Sequence, residues 1–377
     1  MEKVKLGDIA VLINGDRGKN YPSQADITEE GDVPFVNAGH LTGRTIDFGD
    51  MNYISKEKYE KLSSGKFEKG DILYCLRGSL GKKAIVNDDV AGAIASSLVI
   101  IRPDYEKIDG DYLMFSLDSP SIKEQLVKAN NGSSQPNLSA ASVREYQIEL
   151  PDISLQKEVV EKLTRVRNVI DERQKEFNLL DELIKARFVE LFGDMADPQC
   201  KWAKCKLIDA CVDSNDIKCG PFGTQLGKDE YTDSGVEVWE IPQINSEFKT
   251  MPTHFVTKEK AQNLEQYSIR PGDIAMSRKG NVGRCAVFPE SFEEGIIHSD
   301  VLRIRVDGSR VAPEFMMRQL HYSGDIQHQI ELVSSGAIMA GINVTKLKDI
   351  FVYVPPKTLQ DEFVSFVKQV DKSKVVA

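Results

Sequence analysis

The chain has 377 residues, a formal net charge of −10, 41% hydrophobic residues and 28% charged residues. That length exceeds one ordinary domain, and the composition is that of soluble globular protein. No run approaches the ~18 apolar residues that span a bilayer, the brief apolar start is no signal peptide, and the acidic surplus argues against a surface that binds nucleic acid indiscriminately.

From the N-terminus, GDIAVLINGDRGKNYP (Gly7–Pro22) leads into a strand-like VPFVNAGHL (Val33–Leu41). Next come short apolar runs that read as strands: DILYC (Asp71–Cys75), KAIV (Lys83–Val86) and SLVIIRP (Ser97–Pro103). Gly78 and Gly81 interrupt them, so Arg77–Lys82 is expected to be a tight loop whose glycines let the backbone approach a partner closely. DYLMFSL (Asp111–Leu117) is helical in pattern, and a polar stretch runs from Asn130 to Pro151.

Ser154 to Phe192 is predicted to be one helix of roughly 58 Å. Val159, Leu163, Val166, Ile170, Phe177, Leu180, Ile184 and Leu191 fall on alternating steps of four and three, with Arg173 and Arg187 in the two remaining places. That is a coiled-coil seam, which needs a partner to bury it. Ser154 suits the N-cap and Gly193 the stop. The helix charges balance, so it is no basic DNA-binding helix.

Beyond the helix the first half repeats. KGDILYCLRGSLGKKAIV (Lys69–Val86) returns as PGDIAMSRKGNVGRCAVF (Pro271–Phe288), and ASSLVIIRPD (Ala95–Asp104) as HSDVLRIRVD (His298–Asp307). Asn130–Pro151 returns as Val333–Pro355, and SLQKEVVEKLTRV (Ser154–Val166) as TLQDEFVSFVKQV (Thr358–Val370). The period is too long for a solenoid and means two copies of a domain plus the start of a helix. Upstream, Val33–Leu41 and VEVWEIPQIN (Val236–Asn245) share pattern but not polar residues, as expected of a shared scaffold with a divergent readout. Leu359, Phe363, Phe366 and Val370 repeat the seam spacing, with Thr358 as cap and Asp361 in the first turn. Two such helices would most simply pack antiparallel.

Taken together, these features resemble the specificity subunit of type I restriction-modification systems, over nearly the whole chain. The carriers are the duplicated element (G-D-I, four residues, a basic residue, G-x-x-G, a basic residue), the N-L-S and N-V-T stretches, and the P-D-I-S-L-Q and P-P-K-T-L-Q junctions into helices. The expected fold is α+β: two similar mixed α/β target-recognition domains separated by long helices packed as an antiparallel coiled coil. The expected division is 1–153, a central helix at 154–194, a second domain at 195–356 and a shortened partner helix at 357–377. The resemblance implies that each domain reads one half of a bipartite double-stranded DNA site, with the helices as the ruler between them. It implies assembly with two methyltransferase (modification) subunits and with restriction subunits. S-adenosylmethionine, ATP and Mg are expected on those partners, with no cofactor or metal in this chain and no membrane; the expected location is the cytoplasm. One departure stands out. The family's second helix usually runs as far as the first; here the part matching Glu176–Asp194 is missing. The seam around Leu180, Ile184 and Leu191 is therefore expected to lack its partner, leaving self-association with another chain, or poor assembly.

Catalytic signatures are missing. G-S-L-G-K-K is too short for a phosphate loop, no N-P-P-Y or N-P-P-F methyltransferase motif occurs, and no nuclease cluster is convincing. His298-Ser299-Asp300 is expected in a strand, where its side chains alternate faces and cannot form a triad. Cys200, Cys205, Cys211 and Cys219 are too loosely spaced for structural zinc and read as reduced thiols; His40, His254, His321 and His328 have no metal spacing. The chain reads as a non-catalytic specificity subunit. The alternatives are a stand-alone DNA-binding protein or silent specificity cassette, and an unrecognised metal-dependent nuclease. Arg77, Lys82, Lys83, Arg278, Lys279 and Arg284 suit phosphates or guanine O6/N7, and Asn37, Asn131, Gln135, Gln243, Asn245 and Asn281 suit adenine. Arg17, Lys19, Ser79 and Lys218 complete the candidate set.

Overall fold

A computed structural model describes residues 2–130, 136–195, 197, 199–335 and 341–376. The chain divides into two compact units, Met1–Glu172 and Arg173–Ala377. In the first unit, one antiparallel four-stranded sheet orders Ala10–Asn14, Leu98–Pro103, Ile72–Cys75 and Lys83–Ile85. A second orders Tyr53–Ile54, Val33–Val36, Gly92–Ile94 and Lys66–Phe67, with one parallel pair, Val33–Val36 on Gly92–Ile94. The second unit builds both sheets in the same order. They are Ile217–Cys219, Val301–Ile304, Ile274–Ser277 and Cys285–Val287, and Phe255–Val256, Val236–Trp239, Gly295–Ile297 and Ser268–Ile269, again with a single parallel pair. The duplicated sequence thus folds twice into one architecture. Ile72–Cys75 and Ile274–Ser277 are buried at every residue, which is why neither alternates apolar with exposed polar residues.

Each central hairpin is anchored at its root by a buried carboxylate. The aspartate of the repeated G-D-I is the acceptor: Arg102 Nε and Nη2 each lie 2.8 Å from Asp71, and Arg305 Nε and Nη2 each lie 2.7 Å from Asp273. Asp71 and Asp273 are 1% and 2% exposed. Each also accepts the N–H three residues back, Glu68 or Arg270, at 2.9 Å. A fork-to-fork pair with the remaining lone pair satisfied is the geometry in which a buried ion pair offsets its desolvation.

Both long helices start from a buried glutamine. Gln156 accepts the Asp109 N–H (2.8 Å) and donates to the carbonyls of Lys107 (3.0 Å) and Pro151 (2.8 Å). Gln360 accepts the Ala312 N–H (2.9 Å) and donates to those of Arg310 (3.1 Å) and Pro355 (2.7 Å). The first helix runs unbroken over Ile153–Phe192, about 60 Å at the usual rise. Its cap is Asp152, not the expected Ser154: Asp152 Oδ1 accepts the Leu155 N–H at 2.9 Å, and the Ser154 hydroxyl donates to it at 2.7 Å. Those two bonds hold the Asp152 carboxyl below its ordinary range. The second helix starts at Lys357 on the Pro356 carbonyl, which accepts from Leu359 and Gln360, so Thr358 is not its cap either. Gly193 ends the first helix at φ +73°.

The C-terminal helix, Lys357–Val376, lies antiparallel on the second half of the long helix. Arg187 pairs with Glu362 at 2.6 Å, and Asp181 with Lys374 at 2.7 Å. Phe363 packs on Phe188 and Phe192 at centroid distances of 5.4 and 5.6 Å. Ile184, Phe188, Phe192, Phe363, Val367 and Val370 are buried, and Leu180, Leu191, Leu359 and Phe366 pack against the same core. This corrects the expected vacancy. An antiparallel helix that leaves the second unit must cover the part of its partner nearest that unit, so Leu180, Ile184 and Leu191 are covered. The uncovered stretch is Leu163 (40% exposed), Val166 (57%) and Ile170 (61%). Val159 turns instead onto the core of the first unit.

Because the Asp–Arg pairs root the hairpins, removing one cation strands a buried charge. Arg305→Met is expected to lower unfolding stability by about 3 kcal/mol. Asp273→Asn in the same chain should recover part of it, read by urea denaturation.

Candidate nucleic-acid interface

Above each rooted hairpin the glycine-punctuated loop closes by the same bonds in both units. The Gly81 N–H donates to Cys75 O and the Gly283 N–H to Ser277 O, both at 3.1 Å. Gly78 and Gly81 sit at φ +79° and +77°, Gly280 and Gly283 at +69° and +83°, a region where a Cβ is strained. The loop is tied sideways as well. Leu76 N–H donates to Ser97 O (2.8 Å) and Arg278 N–H to Asp300 O (2.9 Å), while Leu138 and Ile342 donate to the Leu76 and Arg278 carbonyls at 2.8 and 3.1 Å. The result is a rigid rim with variable side chains.

In the first unit, Arg77 and Ser79 are exposed on this loop, and Arg77 forms a bridge with Asn137. Lys82 reaches across to the Ala38 carbonyl at 3.0 Å. Asn37 accepts the Gly39 N–H at 2.7 Å, capping the turn beneath it. Exposed Arg17 donates to Ser96 O at 3.3 Å, next to Ser97. These contacts gather Arg17, Asn37, Arg77, Ser79 and Lys82 on one rim; Lys19 is exposed two residues along. Lys83 is a correction. It is 3% exposed and its ammonium is taken up by the half-exposed Asp118; Arg167 of the long helix flanks the same carboxylate at 3.8 Å. Asn131 and Gln135 lie outside the described residues.

In the second unit, Arg278 donates to Ile342 O at 3.2 Å and lies over the Phe222 ring at 4.8 Å. Lys279 Nζ is 2.8 Å from Asp300, Asn281 is exposed, and Arg284 donates to the Asn245 carbonyl at 3.1 Å. Gln243 is a second correction. It is 4% exposed, accepts the Glu240 N–H at 3.1 Å and donates to Met251 O at 3.1 Å, so it caps a helical turn and reads nothing. Lys218 is held on the outer strand, 2.5 Å from Gln266 Oε1 and over the Tyr267 ring.

Glu240, His298 and Asp300, outside the candidate set of cations and amides, share this rim. His298-Ser299-Asp300 is not in a strand as expected. It forms the turn before Val301–Ile304, and the Asp300 N–H donates to His298 Nδ1 at 3.2 Å. The detectable signal was positional: Glu240 occupies in the second copy the place of Asn37 in the first.

Among the described residues, no group of three or more His, Cys, Asp or Glu is placed to hold a metal ion. Burial pushes the Cys211 and Cys285 thiols up to about 12 and raises those of Cys205 and Cys219, away from the thiolate that binds zinc. His321 is held down to about 4 by burial and then by the Arg318 and Arg284 charges, a neutral ring that accepts the Cys285 N–H at 3.2 Å.

Residues 1–180 match the family described as the type I restriction modification DNA specificity domain. The type I restriction enzyme EcoBI specificity subunit of Escherichia coli is 24% identical over 191 residues, 47% of this chain and 40% of that protein. The type I restriction enzyme MjaVIII specificity subunit of Methanocaldococcus jannaschii is 21% identical over 389 residues, 98% of this chain and 86% of that protein. The crystal structure of the type I restriction-modification S subunit from M. genitalium shares the fold with a TM-score of 0.56 at 15% identity, over 99% of this chain and 90% of that one.

Proposed function

We infer that this chain, whose residues 1–180 match the type I restriction modification DNA specificity domain family, is the DNA-recognition subunit of a type I restriction-modification system, with each unit reading one half of a bipartite target. The observation that carries the reading is the pair of rims: one framework, built twice with the same backbone bonds, presenting different polar side chains. A duplicated scaffold with unlike readouts is what two unlike half-sites require. In the first unit, Arg77 suits guanine or phosphate, Asn37 suits adenine, and Arg17 and Lys82 suit phosphate.

The unbroken helix is the ruler in this reading: its length sets the unread spacer between half-sites. Chemistry belongs to partners. Two modification subunits would bring S-adenosylmethionine, and restriction subunits ATP and Mg, while this chain selects the sequence without catalysing a reaction. Among the described residues, no helix is long and apolar enough to cross a membrane. Self-association, expected of Leu180, Ile184 and Leu191, falls in this reading to the uncovered Leu163, Val166 and Ile170; a chain that remains monomeric by light scattering at every concentration would remove it.

The experiment is co-expression with the cognate methyltransferase, followed by mapping of methylated adenines. Arg77→Ala and Lys279→Ala are each expected to weaken binding by about 1–3 kcal/mol if they read a base, relaxing one position of one half-site, or to lower the salt slope by about one if they hold a phosphate. Two variants that leave both the motif and the affinity unchanged would end the loop assignment. Inserting four residues, about one helical turn, near Arg173 is expected to lengthen the spacer and preserve both half-sites; an unaltered spacer refutes the ruler.

A further inference from the structure

Three hydrogen bonds donated by backbone N–H groups make the two rims comparable residue by residue. The Asn37 N–H donates to His40 Nδ1 and the Glu240 N–H to Gln243 Oε1, each at 3.1 Å. Ala95 N–H donates to Val36 O at 2.8 Å and His298 N–H to Trp239 O at 2.9 Å. Leu76 N–H donates to Ser97 O and Arg278 N–H to Asp300 O, as above. Asn37, Ala95 and Ser97 therefore stand where Glu240, His298 and Asp300 stand in the second unit, with Arg77 and Lys279 on equivalent loop positions. The first set is an amide, a methyl and a hydroxyl. The second is a connected ionisable chain. His254 Nδ1 is 2.8 Å from Glu240 Oε2, His298 lies 3.9 Å from both Glu240 and Asp300, and Lys279 Nζ is 2.8 Å from Asp300 Oδ1. Tyr231 stacks on His254 at 4.6 Å. Glu240 and Asp300 remain 20% and 27% exposed.

A carboxylate on a DNA-facing rim is repelled by phosphate and by base oxygens, so it selects by rejection as well as attraction. Ionised, it only accepts, and the major-groove donors are the N4 amine of cytosine and the N6 amine of adenine; the N7 acceptor beside the adenine amine repels a carboxylate, which leaves cytosine N4 as the favoured partner. Resting on the DNA-recognition reading above, we propose that Glu240 and Asp300, held by His254 and Lys279, are specificity-determining residues of the second unit and read the N4 amine of cytosine in its half-site. The equivalent positions of the first unit carry no carboxylate, so that half-site is read by different chemistry.

The test uses the full-length chain in complex with its methyltransferase, with the preferred motif of wild type, Glu240→Asn and Glu240→Gln determined by selection from a random duplex pool. Glu240→Asn installs the residue of the first unit. It is expected to reduce discrimination at one C·G pair of one half-site by on the order of ten- to a hundredfold, leaving the other half-site and the spacer as they were. Glu240→Gln keeps the shape and adds a donor, and is expected to shift that position toward a base with an oxygen acceptor. An unchanged motif in both variants overturns the proposal. So does equal weakening of both half-sites, which marks a structural role. A wild-type complex that selects no bipartite motif overturns the DNA-recognition reading instead.

Discussion

In both units the aspartate of the repeated G-D-I is buried and clamped by an arginine at or just past the end of the neighbouring strand, and everything presented above it depends on that clamp. The carboxylate cannot be left without its cation in so apolar a setting. The hairpin Ile72–Ile85, or Ile274–Val287, is therefore held in one register against the strand that supplies Arg102 or Arg305. A loop between strands so fixed has little freedom, and its positive-φ glycines take up what remains. The basic element that draws attention in the sequence thus has two parts with separate duties: its acidic beginning builds, and its basic end is displayed.

The buried glutamines do for the helices what the aspartates do for the hairpins. Gln156 and Gln360 each satisfy one N–H and two carbonyls at the point where a domain ends and a helix begins, with matching partners in the two copies. A helix rooted by three hydrogen bonds in its first turn has a defined direction relative to the unit it leaves. Arg167, shared between the Phe115 ring (4.8 Å) and Asp118, continues that attachment along the first unit. In the second unit the aromatic cluster of Phe188, Phe192, Phe315 and Phe363 does so at larger scale, with about 1.5–3 kcal/mol for each fully buried side chain.

Against this common framework the two copies differ both inside the fold and on the rims. Lys83 and its counterpart Cys285 illustrate where divergence is internal: one edge-strand position holds a buried lysine paired with a half-exposed aspartate in the first unit and a thiol beside His321 in the second. Asn37 and Glu240 illustrate where it is displayed: each donates its N–H to the side chain three residues on, His40 or Gln243, while one presents an amide and the other a carboxylate.

The internal repeat, the two domains, the long helix and the pairing of a second helix with it were all legible in the sequence, because backbone periodicity and local turn chemistry are written residue by residue. The G-D-I and L-Q signatures were visible as patterns, but not as a clamp and an anchor, since their partners Arg102, Arg305, Asp109 and Ala312 lie far away along the chain. The direction of helix packing was read correctly, yet the uncovered stretch was assigned by matching copies in parallel; geometry moved it from Leu180–Leu191 to Leu163–Ile170. Residue type alone nominated Lys83 and Gln243 for the surface and passed over Glu240 and Asp300. Whether a polar side chain points into the fold or out of it depends on which strand packs beside it, and only the tertiary structure decides that.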